Sequence, residues 1–230
     1  MSATEQSIPR HLGIILDGNR RWAKEQGMKT LEGHQRGAEV FRDIVYAAFD
    51  RGIEYVSAYV FSTENWQRTQ EEVSYLMGLV VKITEKYLDE FHEKGIKVLI
   101  LGSREGLDDK VKKSLDQTVE KTASNTRGTI ALCFNYGGKQ EIIDAIKEVP
   151  ADKIADLTPD KFEQYLYAPE VPPIDLLVRT SGEHRLSGYM LWRSEYAELL
   201  FVDKFWPDFS VQDLDTVLDE YNRRTRRFGG

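Results

Sequence analysis

Short apolar runs alternate with longer amphipathic stretches along this chain. The runs cover 12–16, 55–61, 98–101, 130–134 and 174–178, with a weaker one at 199–202. Most are unbroken rather than alternating, which is the signature of strands buried on both faces. Between them, helical periodicity covers 33–51, 71–94, 108–121, 140–147, 159–166 and 211–224. Strand and helix in repeated succession predict an α/β fold: one domain with a mostly parallel central sheet, flanked by helices on right-handed crossovers.

Two stretches add detail. Leu157-Thr158-Pro159-Asp160 reads as a helix start, with Thr158 as cap and Pro159 in the first turn. In the longest helix, Val73, Leu76, Met77, Val80, Val81, Tyr87, Leu88 and Phe91 form a stripe wider than a surface helix needs. It is either core packing or one wall of an apolar channel.

Composition narrows the classes. At 230 residues and 41% hydrophobic, the chain can bury a substantial core, and no Pro/Gly/Ser linker divides it. A net charge of −7 argues against general nucleic-acid binding, because counterion release needs a basic surface. Any polyanion must be bound locally. Cys133 is the single cysteine, so no internal disulfide or Cys-based metal cluster can form, and a reducing cytoplasm fits. Residues 1–10 lack a signal-like apolar run and are expected to be a flexible segment before one domain at 11–230. No apolar stretch reaches the roughly 20 residues a membrane span requires.

Open parallel sheets bind ligands beyond the carboxyl ends of their strands, so the residues after each run are the candidates. The first exit carries Asp17-Gly18-Asn19-Arg20-Arg21-Trp22. Gly18 permits a tight turn, and Asn19, Arg20 and Arg21 present donors at a helix start, a setting suited to phosphate. Asp17 is there either as an ion-pair partner or as a ligand for Mg²⁺ beside a diphosphate. The second exit carries Ser62, Glu64, Asn65, Trp66 and Arg68, either a capped turn with a core indole or a set suited to an allylic or cationic substrate flanked by phosphate. After the fifth strand, Arg179, Arg185 and Ser187 form a second anion-binding set around Ser181-Gly182. His184 and Glu198 say little singly, and the Arg223, Arg224, Arg226 and Arg227 cluster reads first as a helix end. There is no P-loop, no nucleophile elbow and no zinc-type H-E-x-x-H. Asp108-Asp109 lacks the third carboxylate of a helical-synthase diphosphate motif.

These residues, taken in order, resemble the cis-prenyltransferases of the undecaprenyl diphosphate synthase group. The matching stretches are HLGIILDGNRRWA, GHQRG, FSTENWQR, NYGG, RTSGEHRLSGYMLW with YAEL, and RRFGG, spread over nearly the whole chain. The resemblance implies a dimer, expected to be a homodimer, that condenses isopentenyl diphosphate with an allylic diphosphate, farnesyl diphosphate being the expected primer. It implies Asp17 and Asn65 at the reacting centre, with Mg²⁺ on Asp17 supported by Glu198 across the dimer interface. Gly18, Asn19, Arg20, Arg21, Trp22 and His34 would hold the allylic diphosphate. Trp66, Arg68, Arg179, Arg185 and Ser187 would hold isopentenyl diphosphate, while Arg227 and Gly229 would reach the neighbouring subunit's site. Ala38, Phe41, Val60, Leu76, Val80 and Gly128 would line a tunnel for the growing hydrocarbon, whose length implies peripheral membrane contact.

Departures from the family pattern leave product length open. Thr30, beside Lys29, stands where these enzymes usually carry Arg, Phe41 and Val60 are bulkier than usual, and Gly128 is smaller. A short- or medium-chain synthase is therefore the nearest alternative. A non-catalytic partner subunit is a second, opposed by retention of both diphosphate sets, and a nucleotide-binding regulatory domain a third, suggested only by topology.

Overall fold

A computed structural model of the chain describes residues 7–224. Six strands, β1 (His11–Ile15), β2 (Tyr55–Ser62), β3 (Ile96–Leu101), β4 (Gly128–Tyr136), β5 (Leu176–Arg179) and β6 (Glu198–Phe201), form one sheet in the order β3-β4-β2-β1-β5-β6. Every neighbouring pair is parallel, so the mostly parallel expectation becomes a wholly parallel sheet. The helices are α1 (Asn19–Glu25), α2 (Thr30–Asp50), α3 (Gln70–Glu93), α4 (Asp109–Thr122), α5 (Gly138–Glu148), α6 (Pro159–Glu163) and α7 (Val211–Arg223).

Helix ends follow local chemistry. Thr69, Asp108, Thr158 and Ser210 each accept a hydrogen bond from a first-turn backbone N–H of α3, α4, α6 and α7, satisfying donors the helix itself leaves open. α2 begins three residues earlier than its apolar periodicity, where Glu32 caps the Lys29 N–H. α6 stops at Glu163 rather than running to 166. Arg10 belongs to the folded domain, not to a loose segment: its N–H donates to Asp175, and its carbonyl accepts from Glu54 and Tyr55.

Both faces of the sheet are covered, as unbroken apolar strands require. Leu12, Ile14, Val56, Val98, Ile130 and Val178 pack with residues of α2 and α7 and with Trp206. On the opposite face, Ile15, Leu99, Ala131, Cys133 and Leu177 pack under Tyr189 and Met190. The wide stripe on α3 serves two surfaces. Val73, Met77 and Val81 join Val111 and Leu115 of α4, while Val80, Tyr87 and Phe91 turn toward a cavity over the sheet.

The chain runs from β1 outward to β2 on one side and returns to β5 on the other. Strand order therefore reverses at β1, and the crevice beyond β1 and β5 is where such a sheet leaves room for a ligand. Asp17 and Arg179 meet there.

Candidate active site at the β1/β5 switch point

Asp17 follows β1 and is fixed by its own backbone. Its N–H donates to Thr180 Oγ1 (3.1 Å), and its carbonyl accepts from the Thr180 hydroxyl (2.7 Å) and the Trp206 N–H (3.0 Å). Gly18 then turns with φ +104°, and a Cβ there would sit 2.7 Å from the Phe205 ring, so glycine is required twice over. Held this way, the Asp17 carboxylate accepts from Arg179 Nη2 (2.8 Å) and Arg21 Nη2 (3.4 Å).

Arg179, at the last position of β5, donates its Nη1 to Ser187 Oγ (2.9 Å) and to the Arg185 carbonyl (2.5 Å). Its Nε–H is buried without a hydrogen-bond partner among the described residues. Glu183 accepts from Arg21 (3.1 Å) and Arg185 (2.5 Å), so both cations of the rim are anchored by one carboxylate.

A second cationic group lies across the mouth. Glu72 of α3 pairs with Arg68 (2.8 Å) and lies 3.6 Å from Arg20 of α1. Beside them His34 has a buried Nε2 without a hydrogen-bond partner. Burial above all, then Arg68 and Arg20, hold its imidazole down at about pH 4, with Glu72 opposing. A neutral imidazole whose Nε2 lacks a partner among the described residues, beside two guanidiniums, leaves an open valence for an anion.

The mouth opens into a cavity of about 320 Å³, the size class of small-ligand sites. Asp17, Asn19, His34, Asn65, Arg68, Arg179 and Ser187 line its polar end. Ala38, Phe41, Val60, Leu76, Val80, Ile83, Tyr87 and Phe91 line its apolar body, over Val98, Ile130 and Leu132 of the sheet. One end suits phosphate and the other hydrocarbon.

Several expected site residues stand elsewhere. Gly18, Arg20, Arg21 and Arg185 are not part of the cavity lining: Gly18 turns the chain after Asp17, Arg20 lies beside Glu72, Arg21 pairs with Asp17, and the Arg185 carbonyl accepts from Arg179. The Trp22 indole is turned aside, donating to Asp208 (2.7 Å). Gly128 lines nothing: the Phe49 ring occupies the space a Cβ would need, approaching it to 2.6 Å, so α2 supplies the bulk that β4 lacks. Trp66 lies outside this cavity and donates to Asn135 Oδ1 (2.7 Å). Within its own chain Glu198 is far from Asp17: it opens β6, in register with Leu176 at the start of β5, and pairs with Arg224 (3.0 Å). Arg227 and Gly229 lie outside the described residues.

Other residues of the site escaped sequence reading. Thr180 clasps Asp17 from inside the RTSGEHR stretch, where its place beside Arg179 was the available signal. Trp206 lines the cavity and donates to the Gly37 carbonyl (2.8 Å), and Tyr59 lines it from β2. Glu72 carried no signal, since a helical glutamate on a polar face is ordinary.

With that geometry in place, comparison with known proteins decides the family. Residues 15–229 match the family model described as putative undecaprenyl diphosphate synthase. The chain belongs to the cis-prenyltransferase family. An isoprenyl transferase of Thermotoga maritima is 47% identical, covering 97% of both chains. A ditrans,polycis-undecaprenyl-diphosphate synthase of Micrococcus luteus, specific for (2E,6E)-farnesyl diphosphate, is 41% identical over 97% of this chain and 92% of that one. Among solved structures, lavandulyl diphosphate synthase from Lavandula x intermedia, in complex with dimethylallyl diphosphate, superposes with a TM-score of 0.93 at 30% identity, covering 97% and 99% of the two chains. This cis-prenyltransferase thus condenses isopentenyl diphosphate with an allylic diphosphate. No helix among the described residues is long and apolar enough to cross a membrane.

Proposed function

We propose that this cis-prenyltransferase extends farnesyl diphosphate into a polyprenyl diphosphate, with the reacting centre at Asp17. One observation carries the reading: the Asp17–Arg179 pair sits where a polar mouth meets an apolar cavity. His34, Arg20, Arg21 and Asn19 would hold the allylic diphosphate, with its prenyl tail between α2 and α3. Arg179, Ser187, Arg185, Arg68 and Trp66 would hold isopentenyl diphosphate.

Mg²⁺ fits this donor set in one mode only. Among the described residues no group of three or more His, Cys, Asp or Glu converges, so the protein builds no cage. Asp17 offers a single carboxylate, which suits a cation that takes one or two carboxylates and fills its shell with phosphate oxygens and water. Bound there, Mg²⁺ would neutralise charge on the departing diphosphate.

Chemistry then follows from charge placement. As the allylic C–O bond breaks, its electron pair leaves with diphosphate, and fixed guanidiniums stabilise that charge where it develops. The isopentenyl double bond attacks the allylic carbon to form the new C–C bond, which demands orientation more than a nucleophilic side chain. Asn65, at the cavity wall, would orient the reacting carbons, and a diphosphate oxygen would take the proton that is lost. We assign the working unit as a homodimer, with Glu198, Arg227 and Gly229 acting across the interface, and the site of action as the cytoplasm at the inner membrane face, where a long product would partition.

Labelled isopentenyl diphosphate with farnesyl, geranyl or dimethylallyl primer tests the reading directly. Mg²⁺-dependent incorporation, fastest with farnesyl diphosphate and giving a chromatographic ladder of polyprenyl products, is expected. Incorporation that survives chelation of Mg²⁺, or that stops at a short product with every primer, overturns the metal or the chain-length assignment respectively. A short product has its own physical basis in Phe41 and Val60, both in the cavity wall.

A further inference from the structure

The 3₁₀ turn Thr63–Gln67 carries Asn65 and Trp66 and leads to Arg68, yet none of its residues is buried. Packing does little to hold such a turn in place. Its internal bonds, Ser62 N–H to Asn65 Oδ1 (3.1 Å) and Arg68 N–H to the Asn65 carbonyl (3.1 Å), set its shape but not its position. Besides the Arg68–Glu72 pair, position comes from Trp66, whose ring meets Phe61 edge-on at 5.3 Å and whose Nε1–H donates to Asn135 Oδ1 at 2.7 Å.

Asn135 is built to be that anchor. It is buried, and its Nδ2 donates to two carbonyls of the loop after β3, Ser103 and Glu105, both at 2.9 Å. Those two bonds leave Oδ1 with a fixed direction, toward Trp66. Its backbone sits at φ +51°, a left-handed conformation in which non-glycine side chains are uncommon and asparagine is among the best tolerated. Glycine would be easier for the backbone but would leave the indole without an acceptor.

We infer that Asn135 is a positioning residue for the condensation: through its amide it latches Trp66, and with it Arg68, over the second diphosphate. The turn after β2, the loop after β3 and the end of β4 are thereby joined through one side chain. This rests on the assignment of Trp66 and Arg68 to isopentenyl diphosphate.

Asn135→Gly is the informative variant, because glycine accepts the φ while deleting the latch. Loss of the latch bond should raise the KM for isopentenyl diphosphate about fivefold with the KM for the allylic primer nearly unchanged, while loss of the two Nδ2 bonds to the Ser103 and Glu105 carbonyls should lower the melting temperature. Trp66→Phe, which deletes only the donor, should raise that KM as much with the melting temperature nearly unchanged, and the double variant should raise it no further than either single one. Additive losses in the double variant, or a fall in melting temperature with unaltered KM, would show that Asn135 merely braces its loop and would overturn the latch. Arg68→Ala, measured alongside, separates the two levels. If it leaves the isopentenyl KM unchanged, the underlying assignment fails and the latch with it; if it raises that KM while Asn135→Gly does not, the latch alone fails.

Discussion

Two buried arginines of this chain each face a carboxylate, and they are finished differently. The Arg193 side chain is 4% exposed and its partner Glu141 1%. Arg193 donates Nη1 to Glu141 (2.7 Å), Nε to the Val171 carbonyl and Nη2 to the carbonyls of Tyr167 and Ala168, while the Tyr136 hydroxyl donates to the other Glu141 oxygen. Arg179 is 5% exposed, but its partner Asp17 is 28% exposed and the Arg179 Nε has no partner. A buried polar network is stable when every member is satisfied. The first pair is complete and braces the irregular segments before and after β5; the second keeps valence for a ligand.

Histidine repeats the contrast. His11 is enclosed, with Nδ1 2.8 Å from the Pro172 carbonyl and Nε2 2.7 Å from Ser57 Oγ, which also accepts from the Tyr189 hydroxyl. His34, in the cavity lining, is held down to about the same value, about 4, yet its Nε2 has no partner among the described residues.

The strongest way to break the comparison is to cut each carboxylate. Glu141→Ala should cost about 3–5 kcal/mol of stability, seen as a large fall in melting temperature, because it strands a buried cation. Asp17→Ala should cost less, because the Asp17 carboxylate is 28% exposed and Arg179 keeps Ser187 Oγ and the Arg185 carbonyl as partners. Its turnover should nevertheless fall on the order of a thousandfold. Equal stability losses, or retained turnover in Asp17→Ala, would erase the distinction.

Titration offers a second test. Both histidines are neutral in the folded protein above about pH 4, whereas in the unfolded chain they take up protons near 6.5. The unfolded state therefore binds more protons in that window, and stability should fall as pH drops from 6.5 toward 4, by on the order of 3 kcal/mol per histidine. Saturating inorganic diphosphate should raise the NMR-detected pKa of His34 and leave that of His11 in place. A shift at His11 would put it within reach of the ligand.

The smallest expected effect sharpens the role of the guanidinium fork. In Arg179→Lys one ammonium cannot reach Asp17, Ser187 and the Arg185 carbonyl together, so kcat/KM for isopentenyl diphosphate should fall about tenfold. Unchanged kinetics would mean that charge alone suffices there.

Much of this was legible in the chain. All six strands fall on the apolar runs, because a strand covered on both faces must be apolar throughout, and Thr158 caps its helix as its spacing predicts. The polar groups of DGNRRW and RTSGEHR do converge, since parallel strands deliver their exits to one edge. The expected residues that do not line the cavity share a cause. Trp22 leans on Asp208, Gly128 on Phe49, and Trp66 on Asn135, each a long-range contact that local pattern does not encode.

Sequence by itself determined the alternation of strands and helices, the supply of anion-binding side chains after β1, β2 and β5, and the apolar faces of α2 and α3. Which groups remain open was decided only in three dimensions. Asp17 and Arg179 are separated by 162 positions, and strand order alone makes them neighbours at the switch point. Arg193 and Arg179 look alike in the chain; packing gives every side-chain nitrogen of the first a partner and leaves Nε of the second without one among the described residues, because only the second stands at the mouth of a cavity.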